Sequence, residues 1–176
     1  IGERIFLPAL EVGYISHLSE KLSGGLILKT SIEYRFNKNS GFFARLNFDT
    51  YDAEYQLKNV NGFTNVINGT VLFSDFIIGG GYRLGKGKKR FFILLQPGLK
   101  FYDYPSAEQT NSIINIEQNS KSIFTSRITL GFEYYLNDKS AISLDVLQNQ
   151  IWNNIDFWED NTISVGMSIV FITALF

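Results

Sequence analysis

Residues 26–36 read LILKTSIEYRF, and two kinds of side chain alternate along them. One face is apolar or aromatic apart from Thr30. The other face begins with Ile27 and continues with Lys29, Ser31, Glu33 and Arg35. A period of two over about ten residues predicts a β-strand rather than a helix, and one longer than the usual five or six residues.

The same alternation recurs along the rest of the chain and predicts eight strands in all. The other seven lie at 9–14 (the weakest pattern), 42–51, 75–84, 91–102, 124–136, 142–147 and 163–171. Short turns at 37–41, 85–90 and 137–140 alternate with longer polar segments at 16–25, 52–69, 103–121 and 148–161. Such an order is typical of an up-and-down antiparallel meander. We therefore predict one all-β domain over residues 1–176, an eight-stranded antiparallel barrel.

Composition excludes several classes of function. The 176 residues carry 16 basic and 17 acidic side chains, a balance that argues against a nucleic-acid partner. No cysteine and a single histidine exclude a disulfide framework, a thiolate metal site and a multi-histidine centre, so we expect no metal and no cofactor. No apolar run reaches the length of a membrane helix. The start, Ile1-Gly2-Glu3-Arg4, lacks the features of a signal peptide, so an exported protein would be in its trimmed form here.

A closed barrel places one face of each strand inside and the other outside. The apolar faces of the predicted strands carry no charge, and the opposite faces carry six acids and six bases, which we predict to form a charge network in the lumen: Glu11, Lys29, Glu33, Arg35, Arg45, Asp49, Asp75, Arg83, Lys100, Arg127, Glu133 and Asp145. Strand length, balanced charge and aromatic residues beside the short turns favour lipid outside over a soluble lipocalin-like carrier of an apolar ligand. We predict that these charges form a salt-bridged plug rather than an ion path, and that Pro97 marks a bulge or a weak point of the ladder.

The segments 32–39 (IEYRFNKN), 78–84 (IGGGYRL) and 130–136 (LGFEYYL) resemble the small outer-membrane β-barrels of the OmpA/OmpX type, in particular the Bacteroidota-type outer membrane protein beta-barrel domain. The resemblance implies a bacterial outer membrane, contact with its lipid and lipopolysaccharide, periplasmic termini, and insertion by the barrel-assembly machinery. That machinery would read a terminal aromatic pattern, for which the candidates are Ile163, Val165, Met167, Ile169, Phe171 and Phe176. Because Phe176 and Phe171 belong to opposite faces, either the strand contains a register break or the signal ends at Phe171.

Two further features leave alternatives open. His17 is the weak catalytic candidate, since outer-membrane enzymes that modify lipid A use a histidine with a serine and often an acid, and Ser16, Ser19 and Glu20 lie nearby; the alternative is a solvated loop histidine. The basic turn at residues 86–90 is either solvated or in contact with lipid phosphate or a periplasmic partner. We expect a non-enzymatic structural or accessory barrel that contacts a larger outer-membrane protein complex through its wall or loops.

Overall fold

A computed structural model describes residues 4–18, 22–36, 41–57, 67–110, 113–137, 140–152 and 162–173. These residues form eight strands: β1 (Arg4–His17), β2 (Gly25–Arg35), β3 (Phe42–Leu57), β4 (Ile67–Leu84), β5 (Lys89–Thr110), β6 (Ile113–Asn137), β7 (Ser140–Ile151) and β8 (Thr162–Thr173). Among the described residues no helix has the length and apolar character needed to cross a bilayer.

The strands close into a barrel in chain order. Each strand pairs antiparallel with the next, and β8 returns to pair with β1 from Ile5 opposite Thr173 to His17 opposite Thr162. Closure leaves no open edge along the wall, as a sheet in hydrocarbon requires because lipid cannot satisfy backbone amides. The predicted eight-stranded up-and-down barrel is therefore confirmed.

Two predicted long loops are largely strand instead. The β3–β4 ladder continues to Leu57 opposite Ile67, and the β5–β6 ladder continues to Thr110 opposite Ile113. The prediction of loops at 52–69 and 103–121 was therefore wrong in extent. Outward polar side chains marked the point where the strands leave the apolar zone, but backbone pairing does not depend on apolar side chains and continues beyond it.

Neighbouring residues face opposite sides of the wall. Phe42 is 61% exposed whereas Phe43 is 1% exposed, and they occupy successive positions of β3. The described leucine, isoleucine and phenylalanine residues of the predicted apolar faces, such as Leu28, Phe76 and Leu130, point outward, as the alternation requires.

Two prolines coincide with irregularities in the ladder. The β4–β5 pairing passes from Ile77 opposite Gly98 directly to Gly80 opposite Leu95, so the described ladder is interrupted at Pro97 without a change of register. This is the weak point expected of a residue without an amide donor. In β1 the register shifts by one residue between Pro8 and Glu11 against β8, a bulge that explains the weak alternation there.

Candidate functional site: the barrel interior, its wall and its ends

The interior next to the short turns is held by an arginine layer, defined as Glu33, Arg35, Arg45, Arg83 and Glu133. Glu33 accepts hydrogen bonds from all three arginines, at 2.5 Å from Arg35 Nε, 2.6 Å from Arg45 Nη2 and 3.1 Å from Arg83 Nη2. Arg83 Nη2 also donates to Glu133 Oε1 at 2.7 Å. Two carboxylates thus hold three guanidinium groups in a space that water hardly reaches.

Aromatic rings pack against the same arginines. The Arg83 guanidinium lies 4.3 Å from the centre of the Phe43 ring, and that of Arg45 lies 4.8 Å from the Phe92 ring. Glycine makes room for both rings, since a Cβ on Gly81 would stand 2.4 Å from Phe43 and one on Gly131 would stand 2.1 Å from Phe92. Gly81 and Gly131 are therefore required by packing, and cation–π contacts offset part of the desolvation of the guanidinium groups.

A second group of charges, the central belt, crosses the middle of the interior. Adjacent strands place Glu11, Lys29, Asp49, Asp75 and Lys100 directly opposite one another in register, from β1 to β5. Lys29 contacts Glu11 and also donates from Nζ to Asp145 Oδ1 at 2.9 Å on the far side of the barrel. The belt therefore ties the wall together both along the row and across the lumen.

Arg127 compensates the two like charges that the central belt brings together. Asp49 and Asp75 are cross-strand neighbours, and Arg127 donates to both carboxylates, Nη1 to Asp49 and Nη2 to Asp75 Oδ2 at 2.9 Å. Its Nε donates to Asn149 Oδ1 at 2.6 Å. Arg127 can serve these three acceptors at once because the planar guanidinium group offers donors in several fixed directions.

The long-loop end of the interior is closed by apolar contacts instead, which we call the aromatic cap. Its buried members are Ile15, Leu22, Ile27, Tyr51, Ala53, Tyr55, Val71, Phe73, Tyr102 and Ile123. The Tyr51 and Phe73 rings stack at 5.0 Å, and Lys100 reaches up from the belt to donate to the Tyr51 hydroxyl. Sequence reasoning placed only Ile27, Tyr51 and Tyr102 of these on inward faces and did not predict the cap, whose signal was the change from charged to aromatic residues along the inward faces.

The interior as a whole is filled and paired. All twelve residues of the predicted charge network point inward, and each forms at least one ion pair with another of the twelve. The arginine layer, the belt and the cap succeed one another along the barrel axis, an order that favours a plug over a water-filled path.

His17, the weak catalytic candidate, is buried at the end of β1. Its ring lies 5.7 Å from that of Phe73 and 5.9 Å from that of Tyr51, and only 8% of the residue is exposed. A solvated loop histidine is therefore wrong. Ser16 faces the opposite side of the strand and cannot serve His17 as a nucleophile, whereas Ser19 and Glu20 lie outside the described residues.

The outer wall is apolar and ends in aromatic residues beside the short turns. Contacts there include Phe42 with Tyr82 at 4.8 Å, Tyr34 with Phe36 at 5.2 Å and Phe91 with Phe132 at 5.0 Å between ring centres. A girdle of aromatic side chains is typical of the membrane–water interface. An apolar exterior around a charged interior contradicts the soluble carrier, which would need the reverse.

The predicted assembly signal lies on β8, whose backbone pairs with β7 without a register shift from Thr162 to Phe171. A register break before Phe171 is therefore absent from the described part of that ladder. Phe176 and the side chains of Ile163, Val165, Met167, Ile169 and Phe171 lie outside what the structure describes, so their role as a signal stays a prediction.

Solved structures with the same fold are small outer-membrane barrels. Neisserial surface protein A (NspA) aligns with a TM-score of 0.64 at 8% identity, over 95% of this chain and 96% of its own. Ail, the attachment invasion locus protein of Yersinia pestis, aligns at 0.58 and 10% identity over 98% of this chain and 100% of its own. The N-terminal β-barrel domain of Pseudomonas aeruginosa OprF aligns at 0.53 and 12% identity, with 98% and 100% covered.

No protein-family model matches the chain, and no curated protein matches it either. At these identities the structural likeness concerns the fold. Fold, apolar wall and charged interior together define a transmembrane β-barrel of the small outer-membrane class, as the sequence predicts, and a bacterial outer membrane is the environment that this architecture fits. The Bacteroidota-type resemblance stays a prediction.

Proposed function

We propose that this chain is a non-enzymatic accessory barrel, which contacts a partner protein of a larger outer-membrane complex with the parts that project beyond its wall. The observation that carries the proposal is the packing of the described part of the interior. Paired charges under an aromatic cap favour recognition on the outer surfaces over binding or passage of a solute inside.

The most prominent of these surfaces is the end of the β5–β6 hairpin, residues 103–110 and 113–120, which we call the ribbon. β4 pairs with β5 only as far as Tyr102, and β7 pairs with β6 only from Thr125 onward. The ribbon strands pair with each other over this length, which corresponds to about 25 Å of extended chain. The ribbon therefore projects beyond the ladders that flank it, and a projecting hairpin is a place where a partner can add a strand.

The test removes the ribbon and leaves the barrel. Replacing residues 105–118 by Asn-Gly joins Tyr104 to Asn119, which are paired in the ladder, through a turn suited to a hairpin. The matched control replaces residues 57–67 in the β3–β4 hairpin, between the paired residues Gln56 and Asn68. Each variant is extracted in mild detergent and run on a native gel, with mass spectrometry of every band that contains the chain.

We expect the wild type and the β3–β4 control to migrate in a complex, and the variant without the ribbon to migrate as a lone barrel of about the 20.0 kDa of one chain. Resistance to detergent unfolding on an unheated gel checks that each barrel is folded. Migration of the wild type as a lone barrel would contradict the proposal, as would a complex that survives removal of the ribbon.

Two alternatives find less support. An enzyme centred on His17 would need a nucleophile or an activated water beside a ring that is buried in the aromatic cap; His17→Ala in a lipid A modification assay tests it directly. One structure of Ail contains the heparin analogue sucrose octasulfate, but the exposed charges described at the long-loop end of this chain are four acids, Asp52, Glu54, Asp103 and Glu117, against one lysine, Lys121. Such a face would repel a polyanion.

A further inference from the structure

The turn between β4 and β5 concentrates positive charge at the short-turn end. Residues 85–90 read GKGKKR, and Lys86, Lys88 and Lys89 are all exposed. The fourth cation, Arg90, turns inward, with its guanidinium 4.4 Å from the centre of the Tyr135 ring. The three lysines therefore form one exposed basic group, which the interior network does not use; we call it the lysine turn.

The lysine turn has a fixed shape. Gly85 and Gly87 have φ angles of 110° and 70°, a left-handed region that side chains rarely adopt. The Tyr135 amide donates to the Lys88 carbonyl at 2.8 Å, which ties the turn to β6. The backbone thus places three lysines within four consecutive residues, and an anion bound among them would offset the repulsion of their charges.

The position of Lys89 indicates which anion. Lys89 lies opposite Tyr134 in the β5–β6 ladder, on the outward side of the wall, two residues before the outward Phe91. Tyr134 and Phe91 are outward aromatic residues beside a short turn, a position typical of the membrane interface. Lys89 thus borders lipid rather than the aqueous end of the barrel, at the depth where phosphate groups lie and where a lysine reaches toward them.

The distribution of the described exposed charges agrees. The twelve internal charges are balanced, whereas the exposed ones differ between the two ends. The short-turn end presents Lys86, Lys88 and Lys89, and the long-loop end presents Asp52, Glu54, Asp103 and Glu117 against Lys121. The cationic end would strengthen attraction to an anionic leaflet, and the opposite end would not.

We propose that Lys86, Lys88 and Lys89 bind the phosphate of anionic glycerophospholipids in the leaflet next to the short turns, and so anchor that end of the barrel at a defined depth. The proposal depends on the membrane orientation of the wall and is independent of the partner proposed for the ribbon. Binding rests on the lipid phosphate together with its apolar chains beside Phe91, and a soluble phosphate alone is therefore insufficient.

The test counts bound lipid on the purified, folded barrel by native mass spectrometry. The barrel in detergent is titrated with phosphatidylglycerol, with phosphatidylcholine, and with glycerol 3-phosphate as the headgroup without chains. We expect the wild type to retain phosphatidylglycerol over phosphatidylcholine by about fivefold or more, because each lysine near an anionic headgroup contributes about that factor. The triple variant K86Q/K88Q/K89Q should lose the preference, and K89Q alone should lose more of it than K86Q.

The matched control is Lys121→Gln, an exposed lysine of β6 on the long-loop side that lies against Tyr104; it should keep the full preference. Adding 1 M salt to the wild type should abolish the preference without any mutation, because it screens exposed charges. Equal retention of both lipids by the wild type, an unchanged preference in the triple variant, or equal binding of glycerol 3-phosphate would overturn the lipid site.

Discussion

The two halves of the barrel interior solve the same packing problem with opposite chemistry. Beside the short turns, the arginine layer fills the lumen with charged groups, of which Glu33 alone serves three arginines. At the long-loop end, the aromatic cap fills it with stacked rings such as Tyr51 and Phe73. The ionic half depends on every partner being present, because a buried charge without its partner is costly. The stability of the aromatic half depends on how well its side chains fill the space. The loss of a single polar atom lowers stability there only where that atom forms a hydrogen bond.

The largest expected effect comes from Glu33→Gln in the ionic half. The variant keeps the shape of the side chain but leaves Arg35, Arg45 and Arg83 with one carboxylate, Glu133, among them. We expect the free energy of unfolding to fall by about 3–5 kcal/mol, measured by urea titration in lipid vesicles. Glu54→Gln, at an exposed position of β3, is the matched control and should change it by less than about 1 kcal/mol. Equal effects of the two variants would show that the arginine layer is not a coupled unit.

The next largest effect is expected from a comparison of the inner and outer faces of β6. Arg127 is 1% exposed and held by two aspartates inside, whereas its neighbour Ile128 is 48% exposed on the outer face. Ile128→Arg places the same side chain in lipid, where it should cost roughly 2–4 kcal/mol. The measurement is again unfolding in bilayers, and an unchanged free energy of unfolding would contradict the orientation of the wall.

A smaller effect is expected where the two halves meet. Lys100 donates to the Tyr51 hydroxyl, so Tyr51→Phe removes an acceptor from a buried cation. We expect a loss of about 1–3 kcal/mol at an almost unchanged packing volume. If the loss is below the error of the titration, then Asp75 alone satisfies Lys100 and the cap is not coupled to the belt.

The smallest effect belongs to the matched tyrosine of the cap. Tyr102 is buried, and its hydroxyl has no hydrogen-bond partner among the described residues. Removing it in Tyr102→Phe should leave stability within about 0.5 kcal/mol or raise it slightly, because an unpaired buried hydroxyl costs free energy. A loss as large as that of Tyr51→Phe would mean that this hydroxyl has a partner in solution.

Alternation predicted the number of strands and the two faces of each strand, whereas strand length, balanced charge and the aromatic residues beside the short turns were needed to predict which face meets lipid. Phe42 and Phe43 show why: they are chemically identical, but the charged residues at Arg45 and Asp49 assign the whole odd-numbered face to the interior. The same reasoning predicted that the twelve inward charges would pair, since a buried charge has no other stable arrangement.

The pairing itself could not be read from the sequence. Arg127 and Asp49 are 78 positions apart, and they meet because strand register and barrel closure bring them across the lumen. The burial of His17 escaped prediction for a similar reason, since the rings that cover it come from β3 and β4. The extent of the ribbon escaped because its pairing is carried by the backbone, on which side-chain periodicity gives no information.

We propose that the interior is closed and that recognition takes place outside it. Conductance of the purified barrel in a planar lipid bilayer tests this most directly, with Glu33→Gln recorded beside the wild type. We predict no steady current through the wild type, because the arginine layer, the belt and the aromatic cap fill the lumen in succession. A stable, reproducible ion current through the folded wild-type barrel would contradict the account and return the twelve inward charges to the role of a pore lining.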